Sequence, residues 1–261
     1  MKKIFFITFI FALLSNLSKS INVLNETNPY SKLIGKVRKE LIDKSLLYLP
    51  KRNHANILEM SLQMKIAKDD FSLNNAESAY LVYIWICQNI EINLVQGKED
   101  PAQVYELGNG NATGMASLFN RMSSFLDIKT GSISGIFKVL NFSEEFEISE
   151  NIEYTWNYAL IDGEYYLIDI PIGMGLELSD IESNRKDTFF GTEPEIFILN
   201  HFPKESKWQL LENPYTLEKF DSLPFFYPPF FLFDIKNISP YTKKLSGSGK
   251  ITFTYEKSEI S

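Results

Sequence analysis

A chain of 261 residues, 44% hydrophobic and 14% aromatic, is long enough to bury one sizeable core. Its net charge of −7 argues against nucleic acid and anionic membrane as partners. A single cysteine, Cys87, excludes an intrachain disulfide, so stability has to come from packing.

The first segment carries Lys2 and Lys3, an apolar run from Ile4 to Leu14 and the small-residue pattern Ser18-Lys19-Ser20. That pattern predicts a secretory signal peptide over residues 1–20, too short in its apolar part to be a membrane anchor. Cleavage would remove Lys2, Lys3 and Lys19 and lower the net charge by three, to −10. Residues 21–75 read as a helical region, with Leu, Ile and Met at spacings of three and four over 31–49 and 55–69. A stronger helix follows in 74–92, capped by Asn74 or Asn75, with Ala79, Val82, Tyr83, Ile86 and Ile90 in an apolar stripe. It is apolar enough to require burial.

A short helix over 102–107 leads into the Gly-rich stretch GNGN (108–111), and the spacing of Met115, Leu118, Phe119 and Met122 predicts a helix over 112–126. The period then changes to two. Strands are expected over 128–140, 152–161 and 164–170, with Asp162-Gly163 as a hairpin turn, so the architecture is α+β with a helical layer on an antiparallel sheet. Further on, 192–203 is expected to be helical. LPFFYPPFFLF (223–233), broken by three prolines, is expected to be extended and to close the core. SGSG (246–249) reads as a linker before one strand in KITFTYE (250–256).

Five pieces in order, AYLVYIWICQNIEIN, NATGMASLF, TGSISGIFK, YTWNYALIDGEYYLIDIPIG and FFGTEPEIFILNHFPKESKWQLLENPYTLEKF, resemble the transglutaminase-like cysteine-protease superfamily, in its kyphoscoliosis-peptidase-like branch. The resemblance implies a papain/transglutaminase-like core. With the patterns read above, the domain limits expected are 1–20 (signal peptide), 21–75 (N-terminal helical region), 76–240 (transglutaminase-like domain) and 241–261 (C-terminal linker and strand). In active members a Cys opens the helix, a His opens the next hairpin and an Asp ends it. The helix dipole and imidazole favour the thiolate, and the carboxylate orients the imidazole. On this chain those positions fall on Ala112, Tyr154 and Asp169. Alanine cannot form an acyl intermediate, and a phenol with an ordinary pKa near 10 is a poor base at neutral pH.

The resemblance therefore implies a secreted, catalytically inactive domain that serves as a protein-binding or structural module and needs no cofactor. A protein partner is expected; Trp156 and Asn157, the matched W-N pair, are expected as core and strand-edge residues ahead of their alternative as binding residues. The competing expectation is a hydrolase or acyltransferase with a displaced nucleophile, for which Cys87, Thr113 and Ser117 are the candidates. Cys87 is expected to be a buried structural thiol, and Asp169 to accept hydrogen bonds near Tyr154 or Trp156. His54 and His201 stand apart without carboxylates or cysteines at ligand spacing, so no metal site is expected. Asn25, Asn111, Asn141 and Asn237 begin N-x-[ST] sequons. A glycan on Asn111 would stand at the mouth of the cleft.

Overall fold

The structure is a computed structural model, which describes residues 3–6, 31–52, 56–139, 150–174, 187–224, 235–239, 244–247, 252 and 254–257. In chain order the elements are β1 (Lys3–Phe6), α1 (Lys39–Tyr48), α2 (Ile57–Asp70), α3 (Asn75–Asn89), β2 (Glu91–Ile92), α4 (Pro101–Leu107), β3 (Asn109–Gly110) and α5 (Ala112–Phe125). They continue with β4 (Lys129–Val139), β5 (Glu150–Ile161), β6 (Glu164–Ile168), α6 (Ile170–Met174), β7 (Phe190–Thr192), α7 (Pro194–Phe197), β8 (His201–Pro203), α8 (Leu217–Ser222), β9 (Ile235–Ser239), β10 (Lys244–Gly247) and β11 (Thr254–Lys257). A five-stranded sheet has the order β7-β6-β5-β4-β8, and the pairs β5–β6, β6–β7 and β4–β8 are antiparallel.

Contacts divide the chain into two compact units, one of Ser31–Ser134 with Tyr154–Glu193, the other of Met1–Tyr30, Gly135–Glu153 and Pro194–Ser261. In the first unit, α3 is the axis of the core. Every residue from Ala76 to Ile86 is buried, so its burial extends all round the helix rather than along one stripe. Asn74 caps it as expected, in a capping box: its side chain accepts from Glu77 N–H while the Glu77 carboxylate accepts from Asn74 N–H. Helix α5 lies in the same core through Met115, Leu118, Phe119 and Met122, all fully buried, in one cluster with Ala159, Ile161 and Ile168 of the sheet. The hairpin is the expected one. Asp162 and Gly163 both take positive φ, 54° and 88°, the geometry a two-residue type I′ turn demands.

The expected helix over 31–49 is instead a 3-10 turn, Ile34–Lys36, followed by extended Val37 and Arg38 and only then α1. A long-range ion pair overrides local periodicity here: Arg38 donates from Nε (2.5 Å), from Nη2 (2.7 Å) and from its backbone N–H (3.0 Å) to the buried Glu77 carboxylate.

In the second unit the expectation of a helix over 192–203 is corrected: only Pro194–Phe197 is helical, because His201–Pro203 pairs with Gly135–Phe137 as a sheet edge. SGSG is likewise not a linker throughout, since Ser246 and Gly247 belong to β10, which pairs with β1. The single C-terminal strand expected is one of a pair, β11 with β9. Strand β1 lies inside the segment expected to be a signal peptide, so its pairing exists only in the uncleaved chain. Of 223–233, only Leu223 and Pro224 lie within the described residues. The buried Lys138 ammonium donates to the carbonyls of Phe220 and Leu223 and sits 4.1 Å from the centroid of the Phe220 ring, which ties α8 to β4.

Candidate functional site

The start of α5 is built by close backbone approach. Asn111 caps the helix, its side-chain oxygen accepting from Gly114 N–H at 2.9 Å, and Asn111 N–H donates to the Lys98 carbonyl at 3.2 Å. Glycine is required at 114 because a Cβ there would lie 1.9 Å from that same carbonyl oxygen. Ala112, the first helical residue, is 6% exposed. The Thr113 and Thr155 hydroxyls meet at 3.1 Å, so the residues following Ala112 and Tyr154 touch.

Tyr154 and Asp169 are joined directly: the phenol Oη donates to Asp169 Oδ1 at 3.1 Å, and both residues are buried. Ile172 N–H donates to the same oxygen at 2.9 Å, so Asp169 also caps the short helix α6. The Asp169 N–H is in turn held by the Phe189 carbonyl at 2.9 Å. Burial, with the Asp169 charge and hydrogen bond added, holds the Tyr154 phenol well above its ordinary pKa. It is therefore a neutral hydrogen-bond donor with no base strength at neutral pH. The expectation that Asp169 accepts near Tyr154 is met.

Trp156 and Asn157 are each 1% exposed, as core residues are. The Asn157 amide donates to the Ala116 carbonyl (3.1 Å), Asn120 Oδ1 (3.0 Å) and the Gly131 carbonyl (3.3 Å). It cross-links β5, α5 and β4 rather than facing a partner. Cys87 is half-buried near the C-terminal end of α3, not fully buried as expected, since the last turn of that helix rises out of the core. His201 is a packed side chain: its ring stacks on Phe197 at 3.8 Å and its Nδ1 lies 3.2 Å from the Phe197 carbonyl oxygen. His54, Asn25 and Asn141 lie outside the described residues, and the Asn237 side chain is not described. Asn111 is half-buried, and its amide donates to Glu99 Oε1 at 2.9 Å. Among the described residues no three His, Cys, Asp or Glu are grouped to hold a metal, and no helix is long and apolar enough to cross a membrane.

Sequence reasoning missed what holds Asp169 from behind. Asp187, buried, accepts from Tyr80 Oη at 2.6 Å and pairs with Lys39, and Ser31 Oγ donates to the Phe190 carbonyl at 2.6 Å. These bonds hold the residues on either side of Phe189, whose carbonyl accepts from Asp169 N–H. Helix α6 was also missed, although Asp169-Ile-Pro-Ile-Gly carries its signal, an N-cap Asp followed by a proline in the first turn.

A capped helix start facing a hairpin that ends in a buried Asp, within mixed helices and antiparallel sheet, defines the papain/transglutaminase-like class of fold. The profile of the Transglutaminase-like superfamily matches residues 64–170. Over that segment the chain is transglutaminase-like, and its similarity extends to kyphoscoliosis peptidases. It is 26% identical to mouse Kyphoscoliosis peptidase over 193 residues, covering 70% of this chain and 29% of that protein. To the human protein it is 27% identical over 191 residues, covering 69% and 29%. The chain thus spans less than a third of the length of these relatives. A solved structure described as a candidate cysteine protease of Cytophaga hutchinsonii superposes with a TM-score of 0.32 at 15% identity, covering 49% of this chain and 42% of that one.

Proposed function

We propose that this chain is a secreted transglutaminase-like domain without catalytic activity, which acts by binding a protein partner. The observation that carries the reading is the corner at the start of α5, where the matched positions hold Ala112 and a Tyr154 that is hydrogen-bonded to Asp169. A methyl group has no lone pair to attack a carbonyl, and a neutral phenol whose proton is engaged by a carboxylate cannot accept another from a nucleophile. Relatives that carry out acyl chemistry act on polypeptides, so a polypeptide is the class of partner proposed, by analogy of fold.

A second reading, a hydrolase or acyltransferase with a displaced nucleophile, is favoured by the peptidase name of the relatives and by the half-buried Cys87. The experiment assays the purified chain for peptide cleavage and for glutamine acyl transfer. Wild type, Cys87→Ala, Thr113→Ala, Ser117→Ala and the double variant Ala112→Cys/Tyr154→His are compared. The proposed reading expects no turnover by the first four and an iodoacetamide-sensitive activity, if any, only in the fifth. Wild-type turnover abolished by Cys87→Ala, Thr113→Ala or Ser117→Ala would establish the second reading instead. Secretion is tested separately, by whether the exported chain begins after Ser20.

A further inference from the structure

The segment Ser31–Lys39 carries four cations and no acid, and each cation meets a carboxylate at a different place in the first unit. Lys32 Nζ pairs with Glu193 at 3.0 Å, Lys36 Nζ with Asp162 of the hairpin at 3.2 Å, Arg38 Nε with Glu77 of α3 at 2.5 Å, and Lys39 with Asp187. The first part of the segment lies against β7, the strand that ends the five-stranded sheet. Ser31 Oγ donates to the Phe190 carbonyl, and the fully buried Leu33 sits on Gly191, where a Cβ would come within 2.4 Å of the Leu33 Cβ. An edge strand that would otherwise present its backbone is thus covered by a piece of chain held through its charges.

We propose that Ser31–Lys39 is an acid-operated clasp, which opens as one piece while the helices behind it stay folded, uncovering β7 and loosening Asp169. Its apolar hold is small. Leu33 and Ile34 are its buried apolar side chains, against unbroken burial from Ala76 to Ile86 in α3, so the segment belongs to the low-stability end of the unit. Two of its carboxylate partners are deep: Glu77 is 0% and Asp187 5% exposed. A buried carboxylate stripped of its cation is strongly destabilising, so these two keep Arg38 and Lys39 in place as long as they are charged. Protonation removes that penalty and with it most of the hold. Glu77 faces the Arg38 guanidinium and the backbone N–H groups of Arg38 and Asn74. Asp187 faces Lys39 and the Tyr80 phenol, with Tyr83 within its field, and Glu40 and Asp43 of α1 act on Arg38 and Tyr80. Burial raises the Glu77 carboxyl, but Arg38 and the backbone donors bring it below its usual value, so its charge persists down to the lowered value and is lost below it. The path to the corner is short. Ser31 holds Phe190, and the neighbouring Phe189 carbonyl accepts from Asp169 N–H. The clasp stands independently of how the chemistry of that corner is read.

The test is hydrogen exchange of the full chain, read by mass spectrometry at about pD 7 and about pD 3 and corrected for the intrinsic rate at each. In the closed clasp the N–H groups of Ile34, Lys36, Val37 and Arg38 are all hydrogen-bonded. At the lower pD these amides, with those of residues 190–192 and of Asp169, should lose protection together by roughly tenfold or more, while residues 80–86 of α3 and 115–122 of α5 keep theirs. Glu77→Gln/Asp187→Asn, which removes both deep charges, should show the same pattern already at neutral pD. If that variant does not fold, the wild-type chain at the two pD values decides alone. Unchanged protection of the segment at the lower pD overturns the proposal. Loss of protection in step with α3 and α5 overturns it as well, because the acid transition would then be the unfolding of the whole unit.

Discussion

Replacing Tyr154 by Phe removes one oxygen from a buried hydrogen bond and leaves the ring in place. The Oη donates at 3.1 Å to a carboxylate that is 0% exposed, so no water takes over the lost donor. Hydrogen bonds to a charged group contribute about 1.5–3 kcal/mol, and removal of a donor adds the desolvation of the acceptor left behind. Tyr154→Phe is therefore expected to destabilise the chain by about 2–3 kcal/mol, with a fall in melting temperature of roughly 4–12 °C for a protein of this size. Urea unfolding should show a lower midpoint at unchanged slope. The double variant Tyr154→Phe/Asp169→Asn should recover part of the loss, because a neutral amide is less costly to leave short of a donor. A single-variant effect below about 0.5 kcal/mol, within the range of surface substitutions, would refute the idea that this bond holds the corner together.

Burial raises the phenols of Tyr80, Tyr83 and Tyr154 above their ordinary values, with the Asp187 charge adding at Tyr80 and the Asp169 charge at Tyr154. A raised folded-state pKa means that their stabilisation is complete below about pH 10 and is lost as pH rises, at up to about 1.4 kcal/mol per pH unit for each tyrosine. Absorbance at 295 nm should show these three ionising only as the chain unfolds, and early ionisation would contradict the burial. Glu77 behaves oppositely: burial pushes its carboxyl up, but the Arg38 guanidinium and the backbone N–H groups of Asn74 and Arg38 bring it below its usual value. Its contribution is present above about pH 4.3 and lost as pH falls through the lowered value, so Glu77→Gln should flatten the acid limb of the stability curve. Gly173→Ala would place a Cβ 1.8 Å from the hydroxyl of the fully buried Tyr83, and a loss of about 1–3 kcal/mol is expected. Gly163→Ala, with open space around it, should lose about 1 kcal/mol through its positive φ alone, and equal losses at the two sites would contradict the close approach. Asn157→Ala should cost about 1–3 kcal/mol by leaving the carbonyls of Ala116 and Gly131 short of a donor, read as a lower urea midpoint.

Local signals carried far into this fold where the partners were near in sequence. Asn74 with Glu77, Asn111 with Gly114, and Asp162 with Gly163 are each settled within three residues, and the helices and the hairpin they begin or join stand where the sequence puts them. The misplacements are the long-range ones. Val37 and Arg38 leave the helical pattern for a carboxylate 39 positions away, and His201–Pro203 leaves it for a strand more than 60 positions earlier. At the candidate site, the resemblance located Tyr154 and Asp169, which are 15 positions apart, whereas the support from Asp187, bonded to Tyr80 across 107 positions, has no local signature. Trp156 and Asn157, read from the sequence as core residues ahead of binding ones, are both buried.

The pairing of Tyr154 with Asp169 explains why this corner would keep its shape after losing its chemistry. A carboxylate at 0% exposure has to be hydrogen-bonded wherever it sits, and Asp169 cannot turn toward water because its Oδ1 caps α6 and its N–H is held by Phe189. On the proposed reading, an imidazole at this position would both serve as base and donate a hydrogen bond to the carboxylate. With the base replaced, the second duty would remain, and the residue at 154 has to be a donor long enough to reach. Tyrosine meets that demand, while alanine, leucine or phenylalanine would leave the carboxylate one donor short. On the proposed reading, the demand at 154 is therefore for hydrogen-bond donation and no longer for proton transfer. It follows that Tyr154→His should be tolerated far better than Tyr154→Phe in a thermal melt, although the two differ from tyrosine in the opposite order of shape. A melt in which His proves the more damaging of the two would show that ring packing, not the hydrogen bond, keeps tyrosine at this position.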